Sequence, residues 1–262
     1  MTSSKLHSKL ADVIFKSFID QTPTDPLTSA HPDLTIADAY IIQRELMAKR
    51  TNENSERVIG KKIGVTSQAV MDLLGVDQPD FGLLTDKMII PFGGSVHLDQ
   101  LIQPKAEAEI AFVLKHDLTG PGLNAADVLR ATEGIMACFE IVDSRIRNWN
   151  IKIQDTIADN ASCGVFMLGD KMVSPHQINL FSVGMVMRKN GAVVGTGAGA
   201  ASLGSPVNAV VWLANRLGEL GVALKAGEVI LSGALSGMVP LEKGDVLDMT
   251  LDGVGGCHFN VV

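Results

Sequence analysis

Gln103-Pro104-Lys105-Ala106-Glu107-Ala108-Glu109-Ile110-Ala111-Phe112-Val113-Leu114 is the stretch on which the reading of the fold turns. Its side chains alternate in character from Ala106 to Leu114, the period of a β-strand. Glu107 and Glu109 then share one face, roughly 7 Å apart along the strand by the usual rise. Ala108, Ile110 and Phe112 take the other face, toward a core. Beyond Glu109 the glutamates' own face continues with Ala111 and Val113, so it too becomes apolar. Two like charges on a partly buried face repel and lose hydration. A hard cation offsets both costs, and carboxylate oxygens suit magnesium, manganese or calcium. A third acid, Glu140, lies between Phe139 and Ile141 in a second strand-like run, Met136 to Asp143. The competing reading leaves these glutamates solvated or pairs them with Lys105 and Arg145. The choice rests on whether the two strands are neighbours.

Working outward, the chain opens with Leu6, Leu10, Val13, Ile14 and Phe18 at helical spacing. A Pro-containing linker, Thr22 to Pro32, leads to a second helix, with Thr35 as cap, Asp38 three residues on and Ala39, Ile42 and Leu46 as its stripe. A polar segment from Thr51 to Glu56 closes this unit. The expected division is a helical region, residues 1–57, and a strand-rich region, residues 58–262, which the resemblance given below makes the catalytic domain. In the latter, Val58 to Val65 reads as a strand and Ser67 starts a short helix that stops at Gly75. Asn124 caps a helix running to Gly134. Met185 to Val194 is a hairpin with Asn190-Gly191 at its tip, and Asp252-Gly253 marks another. Ser205-Pro206 opens a helix with Val210, Ala214 and Leu217 as stripe and Gly221 as stop. Many short strands joined by hairpins predict an α+β fold with a mostly antiparallel or mixed sheet.

Gly60-Lys61-Lys62-Ile63-Gly64-Val65-Thr66-Ser67 puts two lysines on opposite faces of a strand, where either could bind a substrate carboxylate or lie solvated. Asp77-Gln78-Pro79-Asp80-Phe81-Gly82 is turn-rich, so Asp80 reads as an acid–base group on a loop or a plain turn residue. The small and polar run Ile157 to Gly164 could admit a ligand closely or form a tight turn. Ser162 and Cys163 there have no histidine nearby and no nucleophile-elbow pattern, which argues against covalent catalysis. Gly195-Thr196-Gly197-Ala198-Gly199-Ala200 follows a hairpin strand, so it reads as close backbone packing rather than a dinucleotide loop.

Composition narrows the classes further. Of the 262 residues, 46% are hydrophobic and 19% charged, ample for a large core or a subunit interface. The net charge of −7 argues against a nucleic-acid binder. Cys138, Cys163 and Cys257 form no CxxC pair and are odd in number, which argues against a disulfide framework or a thiolate zinc site and for a reducing, cytoplasmic setting. No uncharged apolar stretch reaches membrane-spanning length. The six histidines are scattered at no ligand spacing.

Taken in order, Gly60–Ser67, Gly75–Gly82, Pro104–Ile110, Arg145–Trp149, Ala158–Gly164 and Ser232–Leu235 give the chain a resemblance to the 2-hydroxypenta-2,4-dienoate (2-oxopent-4-enoate) hydratases. These stand with the 4-oxalocrotonate decarboxylases in the wider fumarylacetoacetate-hydrolase-like fold. The resemblance covers nearly the whole chain. It implies a twisted, mostly β core with mixed sheets and a helical N-terminal region. It implies Mg2+ or Mn2+ held by Glu107, Glu109 and Glu140, and a substrate pocket with Lys62, Asp80 and Ser162. Lys62 would bind the substrate carboxylate or enolate, Asp80 would move the proton or activate water, and Ser162 would orient the substrate. Lys62 and the cation are expected to favour ionised Asp80. The implied substrate is a 2-oxo or 2-hydroxy dienoate, and the implied partners are further copies of the chain, with a complex of pathway enzymes left open. The histidine-containing base of the hydrolase relatives has no matching motif. Asp80 in its Gln-Pro-Asp-Phe-Gly setting and Arg145–Trp149 look hydratase-like, whereas Ala198-Gly199-Ala200 and Gly120-Pro121-Gly122 also resemble the decarboxylases. The alternatives carried forward are a 4-oxalocrotonate decarboxylase and a non-catalytic, cation-stabilised binding domain.

Overall fold

The computed structural model describes residues 3–262, the side chain of Ser3 excepted. Residues 1 and 2 of the expected helical region lie outside it. Helices α1 (Ser3–Asp20), α2 (Leu27–Ala30) and α3 (Ile36–Glu53) come first. Then follow β1 (Val58–Gly64), α4 (Gln68–Leu74), β2 (Asp80–Thr85), β3 (Ile89–Ile90), β4 (Ser95–Val96) and β5 (Pro104–Leu114). The middle of the chain forms α5 (Ala125–Ala131), β6 (Thr132–Asp143), α6 (Ile153–Ala158), β7 (Cys163–Leu168), β8 (Gly184–Lys189) and β9 (Ala192–Ala198). It ends with α7 (Pro206–Glu219), β10 (Val229–Leu231), β11 (Val239–Pro240), β12 (Val246–Leu251) and β13 (Gly255–Val261).

The strands make two mixed sheets. One has eight strands in the order β2-β1-β10-β5-β6-β7-β3, with β11 also paired to β5; the other has five, β4-β13-β12-β8-β9. The expected α+β architecture with mixed sheets is present. The alternation of β5 holds: Ala106, Ala108, Ile110 and Phe112 enter the main core, while Ala111 on the glutamate face joins a second apolar cluster with Leu84, Cys138, Phe166 and Leu231. The two sheets meet in the main core, where Phe139 of β6 packs edge-on against Phe259 of β13, centroids 5.0 Å apart.

Local chemistry explains many of the element ends. Thr35 and Asp38 form the capping box of α3. Ser67 caps α4, and Gly75 ends it at φ +65°, a conformation glycine adopts at no steric cost. Asn190 and Gly191, at φ +54° and +82°, make the tight turn of the β8–β9 hairpin. Three expectations need correction. The helix after Asn124 stops at Ala131 instead of Gly134, because Thr132 already pairs with Leu114 and begins β6. The linker from Thr22 to Pro32 contains α2. Asp80 is not on a loop or in a turn but is the first residue of β2, paired with Gly64 of β1.

The N-terminal helices brace this strand system. Leu10, Ile14, Ala39, Ile42 and Leu46 pack with Ile153, Ile157 and Ala158 of α6. Gln43 of α3 donates to the carbonyls of Phe81 (2.8 Å) and Ile157 (3.1 Å), joining β2 to α6. Asp155, fully buried in α6, accepts from the backbone N–H and hydroxyl of Thr28 at 3.0 and 2.7 Å.

Arg145 is the buried tie after β6. It forms an ion pair with Asp159 at 2.5 Å and donates to the carbonyls of Asp159 and Cys163 at 2.6 and 2.8 Å, and to that of Asp143. Removing one partner of such a pair leaves an uncompensated buried charge. Arg145→Met is therefore expected to cost about 3–5 kcal/mol in urea unfolding. Arg145→Met combined with Asp159→Leu should recover part of that loss.

Candidate metal centre and active site

The site starts from strand register. Glu107 of β5 lies directly opposite Glu140 of β6, and Glu109 lies opposite Cys138. One carboxylate oxygen from each of Glu107, Glu109 and Glu140 falls within 4.8 Å of the others. Glu109 and Glu140 are 1% and 0% exposed, while Glu107 is half-buried. Glu109 accepts the N–H of Gly233 at 2.7 Å, yet its other oxygen and Glu140 Oε2 have no partner, and Glu140 Oε1 has only the Lys62 ammonium at 3.3 Å. Unpaired buried carboxylate oxygens are costly. Hard oxygen donors gathered at one point are a fitting set for a divalent cation. They do not pair as the competing reading has it: Arg145 binds Asp159, and the Lys105 ammonium stacks over the Trp149 ring at 4.4 Å.

Lys62 supplies the positive charge. Its Nζ lies 3.3 Å from Glu140 Oε1. Strands β1 and β6 are separated by β10 and β5, three strand spacings, or roughly 14 Å in a flat sheet. A lysine alone does not span that, so Glu140 reaches to meet it and the curl of the sheet shortens the gap. Lys62 also pairs with Leu231, the last residue of β10. Lys61, on the opposite face, pairs with Glu228 at 2.5 Å and takes no part.

Asp80 sits beside Lys62 because Gly64 has no side chain. A Cβ at Gly64 would lie 2.3 Å from Asp80 Oδ1 and 3.2 Å from Lys62 Nζ. Both oxygens of Asp80 are buried and lack hydrogen-bond partners. Ser162, 3% exposed, shares a 3.2 Å hydroxyl–hydroxyl hydrogen bond with Thr156. It ends an unusual turn in which Asn160, Ala161 and Ser162 all have positive φ, at 54°, 52° and 52°. Asn160 clamps that turn to β2 by exchanging hydrogen bonds with the backbone of Leu83 at 2.8 and 2.9 Å. Lys62, Asp80, Glu107 and Ser162 line one cavity of about 440 Å³. A larger groove, about 780 Å³, is lined by Arg145, and its buried charges are already matched: Arg50 with Glu56, Arg145 with Asp159, and Asp143 with the N–H groups of Ile102 and Gln103.

Thr156, Gly64, Gly233 and Val65 escaped the sequence reading as site-forming residues. Gly64 and Gly233 stand inside recognisable motifs. Gly233, at φ +100°, is needed because a Cβ there would meet Thr66 Oγ1 at 2.3 Å. Thr156 carries no sequence signal. Val65, β-branched and at φ +57°, costs about 1–3 kcal/mol in backbone strain. Val65, Trp149, Ala161 and Ser162 all combine positive φ with a place in the cavity wall.

Burial dominates the electrostatics. It pushes Asp80 up to about 6, with Glu140 adding and Lys62 opposing. Lys62 favours ionised Asp80 as expected, but in the metal-free protein desolvation raises the value by more than Lys62 lowers it. Burial, reinforced by Glu140, lifts Glu107 to about 7, and Glu109 and Glu140 are raised for the same first reason. Burial alone would lower the Lys62 ammonium, but Glu140, Asp80 and Glu107 outweigh it and hold the proton more tightly.

A curled mixed sheet with a buried carboxylate trio facing a lysine defines a β-rich enzyme of the fumarylacetoacetate hydrolase class. The chain belongs to that family: the profile described as fumarylacetoacetate (FAA) hydrolase C-terminal matches residues 61–262. A 2-hydroxyhexa-2,4-dienoate hydratase of Comamonas testosteroni is 55% identical over 89% of this chain and 89% of its own. A 2-hydroxypent-2,4-dienoate hydratase of Pseudomonas putida is 55% identical over 83% of this chain and 98% of its own. Among solved structures, the 4-oxalocrotonate decarboxylase of Pseudomonas putida G7, complexed with magnesium and adipate, superposes with TM-score 0.96 at 36% identity, covering 100% of this chain and 99% of that one.

The sign of the pH dependence follows from the raised carboxyls. Folding tightens their protons, so the stability they lend is complete below the unfolded values and is lost as pH rises through the folded ones. For Asp80 and Glu107 that window runs from 3.8 and 4.5 up to about 6 and about 7. Metal-free protein should thus melt at progressively lower temperature between about pH 4 and about pH 7, and magnesium should reverse the trend with release of protons. Glu109→Gln is expected to raise the neutral-pH melting temperature of metal-free protein while weakening magnesium binding by at least about tenfold in calorimetric titration.

Proposed function

We propose that this protein is a hydro-lyase of aromatic meta-cleavage catabolism that adds water to 2-hydroxypenta-2,4-dienoate, giving 4-hydroxy-2-oxopentanoate. The observation that carries the reading is the meeting of Lys62, Asp80 and Ser162 in one cavity with a carboxylate of the Glu107–Glu109–Glu140 trio. The hydratases at 55% identity support it over the decarboxylase at 36%.

Glu107, Glu109 and Glu140 would hold Mg2+ or Mn2+. When bound, the dication supplies Lewis-acid stabilisation of negative charge on a 2-oxo acid. Lys62, kept protonated by its acidic neighbours, binds the substrate carboxylate or the oxygen at carbon 2. Ser162 orients the substrate by hydrogen bonding, with Thr156 holding the hydroxyl in place. Asp80, with a pKa of about 6, can both take and give a proton near neutral pH. The reaction needs both. The hydroxyl at carbon 2 loses a proton while carbon 5 gains one, giving an enone between carbons 3 and 4. Water then adds its oxygen at carbon 4, and carbon 3 gains a proton. Asp80 serves as the acid–base group for these transfers.

The same proposal includes assembly into homo-oligomers in the cytoplasm. Exposed Ile89, Phe92 and Phe181 offer apolar surface for self-association, and the three cysteines are free and buried. Among the described residues, no helix is long and apolar enough to cross a membrane.

The test follows loss of the dienoate absorbance. EDTA should abolish turnover, and magnesium or manganese should restore it. Asp80→Asn should lower kcat by about 10²- to 10⁴-fold. Gly64→Ala, which crowds the Asp80 carboxylate, should give a comparable loss in a folded protein. Full activity in metal-free protein, or in Asp80→Asn, would remove the assignment.

A further inference from the structure

The cavity is graded from a charged floor to an apolar mouth. Lys62 and Asp80 at the floor are 3% and 1% exposed, whereas Val70 and Met238 at the rim are 37% and 43% exposed. Leu74, on the same helix α4 as Val70, joins the rim, and Val65, Trp149 and Ile151 complete an apolar wall below it. The ionisable side chains that line the cavity, Lys62, Asp80 and Glu107, all belong to the acid-binding end, and the rim has no cation among the described residues. Lys105 stacks on Trp149 and does not line the cavity.

We propose that Val70, Leu74 and Met238 form a tail-selecting rim that accepts 2-oxo acids with an uncharged alkyl end and discriminates against those ending in a second carboxylate. The inference rests on the hydratase reading for the placement of the acid head at the floor. With the head there, the far end of a five- or six-carbon chain points to the rim. A methyl group there loses water-exposed apolar area against Val70, Leu74 and Met238. A carboxylate there loses hydration with no cation to offset it, and it faces a cavity already rich in acids. The rim is the part of the wall in which a change of one side chain, on exposed α4 or the exposed Met238 loop, can alter specificity without disturbing the core.

The test measures binding of unreactive saturated acids by calorimetry, with magnesium present. 2-Oxohexanoate is expected to bind about fourfold more tightly than 2-oxopentanoate, the value of one buried methylene. 2-Oxohexanedioate, with a carboxylate end, is expected to bind at least about tenfold more weakly than 2-oxohexanoate. Val70→Arg, at an exposed helix position, should bring the two six-carbon acids within about threefold of each other. Met238→Arg is the second variant, and melting curves check that both fold. Equal or tighter binding of 2-oxohexanedioate by the unaltered protein would overturn the proposal, as would an unchanged ratio in both folded variants. The readout is separate from catalysis. The expected ratios without dienoate turnover would support the rim and overturn the hydratase assignment, while turnover with an inverted ratio would do the reverse.

Discussion

Three carboxylates forced together beside one cavity, with Glu107 on its wall, are the constraint around which this structure is arranged. The register of β5 against β6 puts Glu107 opposite Glu140, and strand alternation adds Glu109 to the same face. Water cannot reach Glu140, and a single ammonium, Lys62, stands 3.3 Å away. At that separation one positive charge cannot neutralise three negative ones, so the protein alone must hold protons on these groups. A divalent cation resolves the same imbalance without protons. The curled sheet is what brings Lys62 close enough to matter.

The scaffold around this charge cluster is built to resist its own strain. The left-handed run Asn160–Ser162 is held from both sides: Asn160 exchanges hydrogen bonds with Leu83, and Arg145 grips the carbonyls of Asp159 and Cys163. Gln43 adds a tie from α3 to β2 and α6. The helical N-terminal layer therefore does more than cover apolar surface. It fixes the strand that carries Asp80 and the turn that carries Ser162, so rigidity at the cavity is supplied by contacts far from it in sequence. Glycine contributes by absence: side chains at Gly64 and Gly233 would fill space used by Asp80 and Thr66.

Much of this was legible in the residue order, because the signals are local. Alternation in Ala106–Leu114, the capping box at Thr35 and Asp38, the Asn190-Gly191 turn and the helix opened by Pro206 depend on neighbours a few positions apart, so each survives folding unchanged. The shared face of Glu107 and Glu109 follows from the same period. The ordered motifs carried the family resemblance, which the match over residues 61–262 makes plain. Local reading failed where a partner strand overrode it, as at Thr132 and Asp80, whose pairing with Leu114 and Gly64 turned a helix end and a turn into strand.

What the sequence determined by itself, then, was periodicity: which residues are strand, which face the acids share, and which residue types stand ready for chemistry. Tertiary structure alone decided that Glu140 pairs across from Glu107, that Lys62 reaches over two intervening strands, and that Thr156 supports Ser162. It also raised the proton affinity of Asp80, since burial, which exists only in the folded chain, outweighs the attraction of Lys62. The physical reason is common to all of these. Distance and desolvation between residues far apart in sequence are set by sheet register and curl, and neither is encoded in any short stretch of the chain.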